Sequence, residues 1–110
     1  LSGLYDKLVN LELTKTNLEN MRKFILEREV PFPVVNYYCI KTMEKCEALA
    51  DEVSQSKFAR MIIGLLKELI KSRKLDPKEI EAEIRSFGIR LCQVDEVAKL
   101  YKRFAETNSK

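Results

Sequence analysis

The 110-residue sequence contains no histidine and no tryptophan, and only three glycines, three prolines and three cysteines. Each scarcity removes a class of chemistry. Without His, neither Ser-His-Asp nor Cys-His nucleophile arrangements can form within the chain. The Glu-x-x-His di-iron sites of helical bundles are excluded as well. Gly3, Gly64 and Gly88 stand apart in the sequence, so there is no glycine-rich loop to cradle a phosphate. So few turn-forming residues also argue against an all-β or loop-rich fold. The longest apolar run, Met61 to Leu66 with Gly64 inside it, is far short of the ~20 residues that span a membrane.

The cysteines, at 39, 46 and 92, are odd in number and cannot all close into disulfides. Zinc sites take ligands from Cys or His pairs two to four residues apart, a spacing that these three do not have. Free thiols suit a reducing compartment, the cytoplasm or nucleus. Cys39 and Cys46 share a helical face with Met43 and Ala50, which reads as small buried residues. Cys92, in a connection near Arg90, is the thiol best placed to react, though burial is the simpler reading there too. No metal and no cofactor is expected.

What is present is a globular composition, 45% hydrophobic and 34% charged. A chain of this mass buries roughly two-thirds of its unfolded surface, enough for one core. No internal repeat or low-complexity linker divides it, so residues 1–110 read as a single helical domain with a frayed tail at 107–110. The chain opens on Leu1 rather than Met, which reads as a piece of a longer protein. The 20 basic and 17 acidic residues leave a net charge of +3, a mild surplus mixed along the chain.

Apolar residues recur at helical spacing almost throughout, which predicts an all-α bundle of five to six helices joined by short turns. The first helix is expected over 3–11. Thr16 with Glu19 forms a capping box that opens a second, running to about Glu29. Pro31 and Pro33 interrupt helix around Phe32. Pro33 then suits the first position of a third helix reaching about residue 53, with Val35, Cys39, Met43, Cys46, Ala50 and Val53 as its stripe. Its opening, Val34 to Ile40, is β-prone when read alone. Ser54 or Ser56 is expected to cap a fourth helix over 57–73. Asp76-Pro77-Lys78-Glu79 supplies the start of a fifth, which stops at Gly88. A final helix is expected over 94–104.

Charged clusters read first as solvated helix faces. Glu44, Glu47 and Asp51, and likewise Glu79 and Glu83, lie a turn apart, but lysines beside them suggest surface rather than acid–base catalysis. An enzyme is not expected. The densest basic region runs from Lys57 to Lys78; Arg60, Lys67 and Lys71 project from one side of the fourth helix, while a continued helix points Arg73 the opposite way.

Surplus apolar positions are the stronger signal. The fourth helix spreads its hydrophobic residues over roughly 200°, wider than one core stripe. Ile63 and Ile70 lie on one edge of that arc, and Tyr37 and Ile40 lie away from the stripe of the third helix, near Phe32. Either the fourth helix is central or that edge meets a partner. The expected function is therefore a non-enzymatic protein–protein interaction module, a scaffold or adaptor domain. It docks a partner helix or peptide on Phe32, Tyr37, Ile40, Ile63 and Ile70 inside a basic rim that would orient acidic partners. Two alternatives are a nucleic-acid-binding domain using Arg60, Lys67 and Lys71 and a homodimer that buries the same apolar edge.

Overall fold

Thr14 caps the first helix of the described residues. The computed structural model of the chain describes residues 11–91 together with 98, 99 and 102. Thr14 is extended, and its Oγ1 accepts the Asn17 amide at 3.1 Å, capping α1 (Lys15–Glu27). The expected cap at Thr16 is thus two residues late. Starting at Thr14 lets Leu18 N–H reach the Thr14 carbonyl as the first helical bond, at 3.0 Å. Glu19, released from the capping box, pairs with Arg22 instead, at 3.5 Å. Leu18 and Ile25 form the buried stripe.

Pro31 ends the connection with an extended ψ of 143° and serves as the N-cap of α2 (Phe32–Glu47). Phe32 and Pro33 occupy the first two helical positions, where their lack of intrahelical amide bonds costs nothing. The β-prone stretch is helical because tertiary burial overrides propensity: Val34, Val35, Tyr38 and Cys39 all face the core. α2 stops at Glu47, not near 53. Its final carbonyls, on Cys46 and Glu47, both accept from the side-chain amide of Gln55 at 3.2 Å. Asp51 caps α3 (Glu52–Lys71), accepting from the Val53 and Ser54 amides. Ser54 is therefore not the cap; its hydroxyl donates to the Asp51 carboxylate at 2.7 Å. That bond and the two amides hold the Asp51 carboxyl below its ordinary pKa. Ala50 and Val53, assigned to the core stripe by spacing, are exposed because the chain turns between them.

α3 packs against both α1 and α2, and α2 packs in turn against α4 (Glu81–Arg90). The central position of α3 accounts for its wide apolar arc, since Ala59, Ile62, Ile63, Leu65, Leu66 and Leu69 are all buried. α4 also starts later than expected. Asp76 does cap a turn, its Oδ1 accepting Lys78 N–H at 3.0 Å. Ile80 then breaks the helical course with φ −120° and inserts into the core. α4 runs past the expected stop at Gly88, which is buried within the helix.

Four helices, and no strand, are thus found among the described residues, against the five to six expected. Leu11 is not helical; the rest of the expected first helix and the tail 107–110 lie outside the described residues. Of the expected helix over 94–104, Ala98, Lys99 and Lys102 are helical and the rest lies outside them, as does Cys92. No helix among the described residues is long and apolar enough to cross a membrane.

Gly64 sits mid-helix on the exposed side of α3, and a Cβ added there meets no atom within 4 Å. No backbone approach within the described chain requires a glycine. Gly64→Ala is therefore expected to stabilise the fold by about 1 kcal/mol, the helix-propensity difference. Urea denaturation checks this; a lower midpoint in the variant overturns it.

Candidate docking surfaces

The C-terminus of α3 and the α1–α2 connection together form an open groove of about 430 Å³. Phe32 stands at its edge, 46% exposed. Val34 and Val35 take the core-facing positions of that first turn, and Phe32 lies outside them. Val30 and Pro31 continue the apolar wall, and Arg73 and Lys74 supply the charge opposite. Among the described residues, Glu29 is the one acidic residue lining it.

Arg73 reaches this groove because α3 has already ended. Arg73 N–H bonds the Ile70 carbonyl at 3.1 Å and Lys74 N–H bonds the Leu69 carbonyl at 2.8 Å. These two bonds define a Schellman ending, in which the residue after the C-cap is left-handed. Here that residue is an arginine, at φ 60°. The helical projection that points Arg73 away from the other basic residues therefore does not apply. Lys74 Nζ donates to the Arg28 carbonyl at 3.3 Å, which ties this corner to the end of α1. Arg28 in turn lies 5.0 Å above the Phe24 ring.

A left-handed conformation costs a non-glycine residue about 1–2 kcal/mol, part of which glycine returns through its greater freedom when unfolded. Arg73→Gly is accordingly expected to stabilise the chain by about 0.5–1 kcal/mol while removing one groove cation. Thermal denaturation of the variant checks the gain, and a lower melting temperature refutes it.

The other expected anchors do not converge on this groove. Tyr37 is half-buried on α2, with Lys41 Nζ 5.6 Å above its ring. Ile40, one turn further on, lines a separate groove between α2 and α4. Ile70 is half-buried against the core. Ile63 is 2% exposed and belongs to the core itself, since α3 is flanked on both sides. Arg60, Lys67 and Lys71 are all exposed along one face of α3, the face that also carries Gly64.

Cys39 and Cys46 are free and buried. Burial pushes the Cys39 thiol up to about 12 and the Cys46 thiol up to about 11. The Cys46 thiol donates to the Gln55 carbonyl at 3.5 Å, a contact that needs its proton. Among the described residues, no group of three or more Cys, Asp or Glu side chains is placed to hold a metal ion.

The fold and its surface together define an all-α domain with open, charge-flanked grooves. Comparison of the sequence with protein families then gives its kinship. The model for CNOT11, CCR4-NOT transcription complex subunit 11, matches residues 2–105, and the chain belongs to that family.

Proposed function

We propose that this domain is a non-enzymatic protein-interaction module of a CCR4-NOT subunit, working inside the cell. Its docking surface is the groove at Phe32. The observation that carries this reading is an exposed aromatic beside two cations, one of them held in a left-handed conformation. Exposed aromatics anchor interfaces by filling a partner's pocket, and flanking charge sets partner and orientation. Backbone strain persists where the surroundings impose it, and such positions cluster at functional sites. The fitting partner is a peptide or helix presenting an apolar side chain next to carboxylates. Lys71 and Lys67, exposed on the last turns of α3, extend the cationic side.

The test uses the parent subunit carrying Phe32→Ala, Arg73→Gly or the control Val53→Ala, an exposed α3 position outside the groove. Affinity purification with quantitative mass spectrometry should show the same proteins depleted in the first two and retained in the third. Arg73→Gly is the sharper variant, because stability is expected to rise while association falls. Unchanged association in both groove variants overturns the reading.

The alignment of Arg60, Lys67 and Lys71 on one exposed face favours nucleic-acid binding as a second reading. Protein-independent recovery of RNA, lost on substituting those three residues, would replace the first reading with it. Self-association across a concentration series would indicate the homodimer instead.

A further inference from the structure

On the other side of α2 the charge has the opposite sign. α2 and α4 leave between them a groove of about 330 Å³. Its apolar part is Ile40, half-buried, above Met43, a core side chain only 2% exposed that forms the floor. On the α4 side Ala82 and Ser86 are short, which keeps the groove open. Three carboxylates line it, Glu44, Glu47 and Glu83, against one guanidinium, that of Arg90.

Two of these carboxylates have a cationic partner and the third has none among the described residues. The Glu47 side chain is only 17% exposed, and its one ionic contact is Arg90 at 3.3 Å, itself 66% exposed. Burial raises the Glu47 pKa above its ordinary value, and Arg90 opposes that shift without cancelling it. Glu44 pairs with Lys41 at 3.3 Å along the surface of α2. Glu83 has no ion pair among the described residues. A cation brought from outside would therefore meet Glu83 unpaired, beside two carboxylates whose cationic partners are partly exposed.

We propose that the α2–α4 groove is a second docking site, selective for a short basic–apolar peptide segment. An aliphatic side chain seats on Ile40, over the floor that Met43 closes, and flanking Lys or Arg groups meet Glu44, Glu47 and Glu83. This goes beyond the Phe32 reading and is independent of it: one surface is suited to acidic partners and the other to basic ones. The two occupants are told apart by charge, so both can be held at once.

The test is an NMR titration of the ¹⁵N-labelled 110-residue chain with an amphipathic Leu/Lys peptide of about twelve residues, and with its Leu/Glu counterpart. The Leu/Lys peptide is expected to shift the amides of residues 40–47 and 82–90 saturably, and the Leu/Glu peptide to leave them in place. Glu44→Lys combined with Glu83→Lys should weaken binding at least about tenfold. The single Glu83→Gln, which disturbs the fold least, should weaken it about threefold. Phe32→Ala should leave it unchanged, which separates this proposal from the first. Three results overturn it: no shift in the groove at millimolar peptide, equal shifts with the Leu/Glu peptide, or undiminished binding in both Glu variants. Shifts of the same amides on concentrating the chain without peptide would overturn it in favour of a second copy.

Discussion

Phe87→Ala is expected to cost the chain about 3–5 kcal/mol, whereas Phe32→Ala is expected to cost no more than about 1 kcal/mol. The two residues differ in surroundings rather than chemistry. Phe87 is 1% exposed and among the largest fully buried side chains, on the face of α4 that also buries Ile84. Its removal loses the transfer free energy of the ring and leaves a cavity that rigid helices only partly close. Phe32 already meets water over nearly half its surface, so alanine removes little burial and creates no cavity. A domain of this size is stable by about 5–15 kcal/mol, so Phe87→Ala removes a large part of the total and should lower the unfolding midpoint markedly. Urea denaturation of both variants decides the matter. Equal losses would make Phe32 a core residue, and the docking surface built on it would fail.

Alkylation of Cys39 at neutral pH is expected to be about a thousandfold slower in the folded chain than in the unfolded one, and that of Cys46 about a hundredfold slower. The thiolate is the reacting species, and burial holds the two thiols at about 12 and about 11 against an ordinary 9.0. Peptide mapping after timed iodoacetamide treatment reads each cysteine separately; rapid labelling of Cys39 would contradict its burial. The same displacement has a consequence for stability. Tyr38, buried next to Cys39 in sequence, is raised to about 12 by burial. All three groups keep their protons longer in the folded chain than in the unfolded one. Their contribution is complete below about pH 9 and is lost as pH rises through 11 to 12. Alkaline unfolding should therefore begin above pH 9, and a stability unchanged to pH 12 would refute this account.

Periodicity carried the helices well where one face is buried. Leu18 and Ile25, the Ile62–Leu69 stripe, and Ile80 with Ile84 and Phe87 were all legible as inward positions. The turn between α2 and α3 was not. Ala50 and Val53 continue the apolar spacing straight through it, and only the cap at Asp51 marks the break. Spacing also measures the width of an apolar arc without saying what covers it. Ile63 thus read equally as core or as partner surface, until α3 proved to lie between α1 and α2. The groove at Phe32 was half legible. The two prolines set Phe32 apart, but no residue type announces a left-handed arginine. A helix continued by two residues sends Arg73 to the wrong side. The α2–α4 groove depends on carboxylates about forty residues apart in sequence, and no local pattern joins them.

The Gln55 amide that bridges the end of α2 to the start of α3 is electrically neutral. The elbow between those helices is thus held across its two sides by a neutral group, and added electrolyte leaves those two bonds alone. Both proposed docking grooves, by contrast, would recruit through fixed charges that dissolved salt screens within about 10 Å at 0.1 M. Raising ionic strength should consequently release whatever is bound while the scaffold beneath keeps its shape, so that occupancy can be varied without disturbing the architecture.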